Sequence, residues 1–194
     1  MRPGDIAASV KKRERALCAL ADEIWGFAET AFAEQRSAKA LGELLEREGF
    51  SVQFGIAGIE TAFCASFGEG EPCIGLLGEY DALFSLSQKA GAFAREWEIE
   101  SAPGHGCGHH LLGVGALGAA LAVKDYLQKS GALGRVVYFG CPGEEGGSGK
   151  AFMAREGVFD ALDAALTWHP GSLNMVAAQS SLANIQAAYH FTGL

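Results

Sequence analysis

Residues with metal-binding and proton-transfer side chains are concentrated in a few short segments of the sequence. The glycine-rich segment 104–110 contains Cys107 and His109, positions 144 and 145 are both glutamate, and His169 follows an apolar run. A thiolate, imidazoles and carboxylates together suit zinc, manganese or cobalt, whereas magnesium and calcium prefer oxygen ligands alone. These residue types therefore predict a site for a first-row divalent metal ion.

The adjacent carboxylates of Glu144 and Glu145 favour hydrolytic chemistry at such an ion. One of them can bind the metal while the other accepts a proton from the attacking water. Cys107 and His109 are separated by one glycine, so a tight turn can present both side chains to one site. A helix is predicted to begin near residue 110, and we expect its amino terminus to favour the thiolate form of Cys107.

Short β-prone segments alternate with helical patterns, which predicts an α/β fold with a largely parallel sheet. The predicted strands are residues 51–54, 61–67, 73–77, 136–141 and 164–168, and the predicted helices are residues 10–28, a segment around 41–45, 111–127 and 150–156. Residues 82–106 are expected to form a long loop that serves as a lid or a site wall. Ligands of such folds bind where parallel strands end, so we expect the motif residues to meet at one edge of the sheet.

Each of these residues also has an explanation without chemistry. Cys107 could be a small buried residue, the glutamate pair could belong to a solvated loop, and His169 could be a core histidine with satisfied hydrogen bonds. Asp81, which follows the strand predicted at 73–77, could cap a helix or a turn. The joint placement of these residues at strand ends and at the start of one helix favours a common site.

The composition excludes several classes of protein. The chain has 194 residues, of which 49% are hydrophobic and 20% charged, as in globular proteins. A formal net charge of -8 is a poor match to nucleic acid. The amino terminus lacks an apolar segment of signal-peptide type, and the longest apolar run, residues 111–123, is too short to cross a bilayer. We therefore expect a cytoplasmic protein without a membrane partner, whose five cysteines are free thiols.

The last residues of the chain carry the pattern of an unfinished domain. Apolar and polar residues alternate over 185–191, which predicts a half-buried strand, but no turn or returning strand follows. No Asp, Glu, Lys or Arg occurs after Asp163, although a free surface normally carries charges. We expect the chain to be a fragment whose final segment is covered by further sequence. The alternative is a short domain with a polar, uncharged edge.

Four motifs in this order resemble the co-catalytic metallopeptidase family of aminoacylases and amidohydrolases. They are GLLGEYDAL at 75–83, GHGCGHHLLGVGALGAALAVK at 104–124, CPGEEGGSGKAFM at 141–153 and ALTWHPG at 165–171. The resemblance implies a three-layer α/β/α sandwich with a mixed, largely parallel central sheet, which would be incomplete in this chain. Residues 1–182 would form the amino-terminal part of the catalytic domain, and residues 183–194 would begin an inserted lid and dimerisation domain.

The resemblance also implies a two-metal site and a role for each motif residue. The ions would be Mn²⁺ or Zn²⁺, with Co²⁺ as a further option. Glu144 would be the general base. The metal ligands would be Cys107, shared between the ions, together with His109, Glu145 and His169. Asp81, His105 and His110 would support the ligands without binding the ions, although the two histidines could also be bystanders. A further histidine ligand would come from chain beyond Leu194.

The leading hypothesis for function is hydrolysis of the amide bond of an N-acyl or N-aroyl amino acid, with an aminobenzoyl-glutamate-like compound as the favoured substrate. Other substrates of the family, such as those of an aminoacylase, a carboxypeptidase or a dipeptidase, remain open. Alternatives of a different class are a thiol hydrolase that uses Cys107 as nucleophile, and an inactive fragment or binding module. The resemblance implies a homodimer, or a heterodimer with a related subunit, formed through the absent lid. We expect little activity from residues 1–194 alone.

Overall fold

The computed structural model describes residues 3–176, 180, 187 and 189–193. The helices are α1 (Pro3–Lys12), α2 (Glu14–Phe27), α3 (Gln35–Arg47), α4 (His109–Ser130), the single turn α5 (Glu144–Gly147) and α6 (Gly149–Arg155). The strands are β1 (Ser51–Phe54), β2 (Phe63–Glu69), β3 (Cys73–Glu79), β4 (Gly134–Cys141) and β5 (Ala164–Leu166), and a 3₁₀ turn covers Ile56–Gly58. The strand predicted at 185–191 falls partly outside the described residues and stays a prediction.

The five strands form one mixed sheet in the order β1-β2-β4-β3-β5. Strand β2 pairs antiparallel with both β1 and β4, whereas β3 pairs parallel with both β4 and β5. The α/β class and the mixed sheet are therefore confirmed, with the parallel pairings confined to β4, β3 and β5. Those are the three strands after which the predicted site residues occur.

Helices cover both faces of the sheet, so the domain has three layers. Side chains of β4 alternate between the faces, as a strand requires. Val136 and Tyr138 join the core beneath α2, α3 and α4, whereas Val137 and Phe139 face Met153 of α6 in a second core. Strands β3 and β4 are therefore largely buried, whereas the three residues of β5 are exposed.

Helix α4 is apolar nearly all round because it packs closely on the sheet and on α2. A Cβ atom at Gly113 would lie 2.6 Å from the carbonyl oxygen of Glu79, and one at Gly115 would lie 2.5 Å from the ring of Trp168. Glycine at these positions lets the start of α4 approach the carboxyl ends of β3 and β5. Within the part of the chain that the structure describes, none of the helices combines the length and the hydrophobicity that crossing a bilayer requires.

The helix predicted over residues 10–28 is confirmed for Glu14–Phe27, but its predicted start is wrong, because residues 10–12 belong to a separate helix and the two helices meet at Arg13. Arg13 leaves helical geometry, with φ -110° and ψ 6°. Its guanidinium donates hydrogen bonds of 2.8–3.0 Å to the carboxylates of Glu48 and Asp125, and Lys124 also contacts Glu48. These partners lie far away in sequence, so the periodicity of residues 10–28 contains no indication of the break.

Unfolding in acid should reveal the contribution of this ion-pair network. The hydrogen bonds from Arg13 lower the pKa of Glu48 from 4.5 to about 2 and that of Asp125 from 3.8 to about 2. A carboxyl whose pKa is lowered by folding stabilises the fold above its unfolded pKa and loses that contribution as the pH falls to its folded pKa. We therefore expect the free energy of unfolding, measured in urea, to decline between about pH 4.5 and pH 2.

The substitution Arg13→Met isolates this contribution. It should lower the free energy of unfolding at neutral pH by roughly 2–4 kcal/mol, because it leaves two partly buried carboxylates without their main partner. It should also flatten the decline in acid. Arg47→Met is the matched control, since Arg47 is exposed and lies 4.0 Å from Glu43. Equal acid profiles for the Arg13→Met variant and the unsubstituted protein would contradict this account.

The five cysteines are all free thiols, as predicted. Cys73 and Cys141 are buried, whereas Cys18 lies at the surface. Cys107 is half-buried and precedes α4, at the edge of the sheet where the parallel strands end.

Candidate metal centre

The predicted site residues come from four segments that meet at the carboxyl ends of the parallel strands. Asp81 follows β3, Glu144 and Glu145 follow β4, and His169 follows β5. Cys107 and His109 lie where the long loop after β3 enters α4. This arrangement is the one expected for ligand sites in open α/β sheets.

The thiol of Cys107 and the imidazole ring of His169 are in direct contact. Gly108 has a φ of 77°, and a Cβ atom there would lie 3.1 Å from Pro170, so this turn favours glycine. The Sγ atom of Cys107 lies 3.3 Å from Nε2 of His169. Two such atoms bound to one zinc ion, with bonds of about 2.3 and 2.1 Å, would be separated by about 3.1–3.6 Å. The observed distance therefore suits a shared cation.

In both histidines of the site, the Nδ1 atom forms a hydrogen bond and the Nε2 atom faces the other candidate ligands. The Nδ1–H of His169 donates to the carbonyl oxygen of Pro170 at 2.8 Å. The Nδ1–H of His109 donates to Oδ1 of Asp81, also at 2.8 Å. A hydrogen bond at Nδ1 fixes the tautomer in which the Nε2 lone pair is free for a metal ion. The two rings are 5.6 Å apart.

The Nε2 atom of His109 is buried and has no hydrogen-bond partner. It lies 3.1 Å from Oε2 of Glu79 without hydrogen-bonding geometry, 3.9 Å from Oε2 of Glu144 and 4.0 Å from Oε1 of Glu145. Burial disfavours a charge on His109, but the hydrogen bond and charge of Asp81, with the charges of Glu79 and Glu144, outweigh it and raise the pKa of the ring. A nitrogen surrounded by carboxylates in this way is an attractive position for a cation.

The expectation that the amino terminus of α4 favours the thiolate form of Cys107 is wrong for the metal-free protein. Burial raises the pKa of the Cys107 thiol to about 12, and the hydrogen bond and charge of Glu145 and the charges of Glu144 and Glu79 act in the same direction. Burial and the negative carboxylates therefore favour the neutral thiol. A thiolate here requires a bound cation, which reverses the local electrostatics.

Glu144 has the properties of a proton acceptor. Its side chain is 43% exposed, so water reaches it. Burial raises its pKa, as do the charges of Glu79 and Glu145, and the nearby charge of Lys150 partly opposes them. A general base is most effective when its pKa approaches the working pH.

The other two predicted histidines lie beside the centre. Nε2 of His105 donates to the carbonyl oxygen of Ile24 at 3.1 Å, and the rings of His105 and His110 are 4.9 Å apart. Among the described residues, no hydrogen bond joins either ring to Cys107, His109, Glu145 or His169. A role for His105 and His110 in supporting the ligands stays a prediction.

Sequence reasoning missed Glu79 and Lys150. Glu79 is buried, and its Oε1 atom pairs with Nζ of Lys150 in the first turn of α6. The spacing from Glu79 to Asp81 could have revealed it, because alternate residues of an extended segment point to the same side. Tyr80, between them, points away and donates to the carbonyl oxygen of Thr61 at 2.6 Å. Nothing in the sequence indicated that Trp168 donates to the carbonyl oxygen of Leu112 at 3.1 Å, next to His169.

The donor atoms fit a divalent first-row cation. Two groups each place three possible ligand atoms within 4.8 Å of one another: Cys107, His109 and His169 in one, and Glu79, His109 and Glu144 in the other. Sulfur, imidazole nitrogen and carboxylate oxygen are the ligands of zinc and related ions. His109, whose Nε2 atom is unpartnered, belongs to both groups, so the residues present suit such an ion.

Asp81 should control metal affinity through two contacts. Besides binding His109, it accepts the backbone N–H of Glu145 at its Oδ2 atom, at 2.8 Å. The substitution Asp81→Asn removes one acceptor oxygen and the charge that fixes the histidine tautomer. We expect Zn²⁺ affinity, measured by calorimetric titration, to fall about 10- to 100-fold. The exposed Asp160→Asn control should bind as the unsubstituted protein does, and equal affinity for the Asp81→Asn variant would contradict the role of Asp81.

The sequence matches peptidase family M20/M25/M40 over residues 75–185, more than half of the chain, and the chain belongs to this family. The resemblance drawn from its motifs is thereby confirmed. One subunit of the p-aminobenzoyl-glutamate hydrolase of Escherichia coli (strain K12) is 53% identical over 175 residues, which cover 90% of this chain and 36% of that protein. Xaa-Arg dipeptidase of Mus musculus is 29% identical over 180 residues, which cover 87% of this chain and 38% of that protein.

A solved structure shows the same fold. A dinuclear metal-binding peptidase of family M20 from Bacillus subtilis superposes with a TM-score of 0.67 at 20% sequence identity, over 80% of this chain and 42% of that one. The chain spans little more than a third of the length of the two curated relatives named above.

Proposed function

We propose that this chain forms the amino-terminal part of the catalytic domain of a metal-dependent amide hydrolase. One observation carries the proposal: the Sγ atom of Cys107 lies 3.3 Å from Nε2 of His169, next to the buried and unpartnered Nε2 atom of His109. Family membership supports it, because the matched region contains all of these residues. An amide hydrolase also accounts for the two adjacent glutamates, which offer one metal ligand and one base.

Cys107, His109, Glu145 and His169 would hold the ions. Mn²⁺ or Zn²⁺ is proposed, and Co²⁺ also suits this donor set. The B. subtilis structure is of a dinuclear metal-binding peptidase, which supports two ions rather than one. When bound, such ions polarise the scissile carbonyl and acidify water.

Glu144 would transfer a proton from the attacking water to the leaving amine. It takes a proton from the attacking water and delivers it to the nitrogen of the leaving amine, so that one carboxylate acts first as base and then as acid. Asp81 keeps His109 in the required tautomer and also binds the backbone of Glu145. Asp81 therefore fixes the positions of a histidine ligand and of the segment that carries the base.

The proposed substrate is an aminobenzoyl-glutamate-like compound, in which an aroyl group is joined to an amino acid by an amide bond. The 53% identity to a p-aminobenzoyl-glutamate hydrolase subunit supports it. A dipeptide substrate is the second candidate, because Xaa-Arg dipeptidase is 29% identical. We propose that contacts to the carboxylates of the substrate come from the lid, which would lie in sequence beyond this chain.

The reaction should also require sequence that this chain lacks. We propose that residues 1–182 belong to the catalytic domain and that residues 183–194 begin the lid and dimerisation domain. The E. coli relative is one subunit of a hydrolase, which supports assembly with a related subunit, and a homodimer is the alternative. Residues 1–194 alone should therefore hydrolyse these substrates slowly or not at all.

We also propose that the protein is located in the cytoplasm.

Hydrolysis assays on the protein in its full natural length test the proposal. With Mn²⁺, Zn²⁺ or Co²⁺ supplied in turn, we expect release of p-aminobenzoate from p-aminobenzoyl-glutamate, at a higher kcat/KM than cleavage of dipeptides that end in arginine. A preference for the dipeptides would replace the proposed substrate but keep the class of enzyme. Absence of metal-dependent hydrolysis of either substrate would contradict the class itself.

A further inference from the structure

Glu79 faces the metal centre although neither the motifs nor the comparisons give it a role. Its side chain is 8% exposed, its Oε1 atom pairs with Nζ of Lys150, and its Oε2 atom lies 3.1 Å from Nε2 of His109. We propose that Glu79 is a further carboxylate ligand, which binds the same ion as His109 through Oε2 while Lys150 holds Oε1. This assignment rests on the metal centre of the proposed function.

The distance between the two atoms supports a shared ion. Two ligands at bond lengths of about 2.1 Å, with an angle of 90–109° between the bonds, lie about 3.0–3.4 Å apart. The Nε2–Oε2 separation of 3.1 Å falls in that range. The same pair lacks hydrogen-bonding geometry, and the buried Nε2 atom has no other hydrogen-bond partner. The two lone pairs are therefore placed as ligands of one cation rather than as donor and acceptor.

Lys150 explains how a carboxylate is kept in a buried position before the metal binds. An isolated buried carboxylate is costly, and a paired one is tolerated. The ammonium group of Lys150 binds only Oε1, so it supplies the opposite charge and leaves Oε2 directed at His109. Oε2 of Glu144 lies 3.9 Å from the same Nε2 atom, which places the proposed ligand beside the proposed base.

The competing explanation is that Glu79 serves only the ion pair with Lys150. The two explanations differ for Lys150→Met, which keeps the Glu79 carboxylate, and for Glu79→Gln, which keeps its shape but removes its charge. If Glu79 is a ligand, only the second substitution should weaken metal binding strongly. If Glu79 serves the ion pair alone, both substitutions break the same contact and should have the same effect.

Titration with Co²⁺, followed by absorption, decides between them in the protein of full natural length. We expect the Glu79→Gln variant to bind Co²⁺ about 10- to 100-fold more weakly than the unsubstituted protein, and the Lys150→Met variant to bind it nearly as well. The sulfur-to-cobalt band from Cys107 should persist in the Glu79→Gln variant at saturating Co²⁺, which shows that the centre still folds. Glu69→Gln is the matched control, because Glu69 is exposed and lies at the opposite edge of the sheet, paired with Gly134.

The outcomes separate this assignment from the proposed function. Unchanged Co²⁺ affinity in the Glu79→Gln variant, or equal losses in the Glu79→Gln and Lys150→Met variants, would overturn the role of Glu79 and leave the metal centre intact. Loss of the sulfur-to-cobalt band in the Glu79→Gln variant would likewise count against a local role as ligand. If the unsubstituted protein binds no Co²⁺, both the metal centre and this assignment fail.

Discussion

Replacement of Glu144 by glutamine is expected to lower the rate of amide hydrolysis by about 10²- to 10⁴-fold in the protein of full natural length, without loss of bound metal. Glutamine keeps the shape of the side chain but cannot accept a proton. Glu144 is suited to that task because burial and the charges of Glu79 and Glu145 raise its pKa. Turnover and metal content should be measured on the same preparation, so that loss of chemistry is distinguished from loss of the ions.

A second glutamate provides the control. Glu156 is exposed, follows α6 and pairs only with Arg155 among the described residues, so Glu156→Gln should leave turnover unchanged. A Glu144→Gln variant that retains both its metal and its full turnover would show that another group moves the proton.

Removal of the metal by a chelator should abolish turnover, and added Mn²⁺, Zn²⁺ or Co²⁺ should restore it. The donor atoms of Cys107, His109 and His169 are close together, but among the described residues no cationic side chain contacts the thiol or either ring. The proposed reaction therefore depends on a bound cation, which would also balance the negative charge of the site. The measurement is the rate before chelation, after chelation and after readdition of each metal.

The same experiment excludes or supports the thiol hydrolase alternative. The contact between Cys107 and His169, at 3.3 Å, is the observation that favours a nucleophilic cysteine. Against it, burial and the surrounding carboxylates raise the pKa of the thiol to about 12, so the metal-free protein holds little thiolate at neutral pH. Activity that survives chelation and is lost on alkylation of Cys107 would establish the alternative and refute the metal-dependent reaction.

The convergence of the site could be predicted in part from the sequence, because Asp81, the glutamate pair and His169 each follow a strand closely, whereas Cys107 and His109 come after a long loop. Glu144 and Glu145 come within four residues of the apolar end of β4, and His169 follows β5 in the same way. Once β4, β3 and β5 are parallel neighbours, their carboxyl ends lie at one edge. The parallel pairing of these strands therefore brings the site residues close together, which the sequence alone only suggests.

The features that sequence reasoning missed depend on contacts between distant residues. The helix break at Arg13 depends on Glu48 and Asp125, which are 35 and 112 positions away. The raised pKa of Cys107 results from burial and from three carboxylates of two other segments. Local arguments, such as helix periodicity or a helix amino terminus near a thiol, do not include these partners. Glu79 is the exception, because its spacing from Asp81 already placed both on one side of the chain.

X-ray absorption at the zinc edge of the zinc-loaded protein tests the metal centre most directly. We expect a sulfur ligand at about 2.3 Å together with nitrogen and oxygen ligands at about 2.0–2.2 Å, and the multiple-scattering pattern of coordinated imidazole. The sulfur contribution should disappear in the Cys107→Ser variant. A spectrum of the unsubstituted protein with oxygen ligands alone, or one that Cys107→Ser leaves unchanged, would contradict binding of the ion by Cys107 and the two histidines.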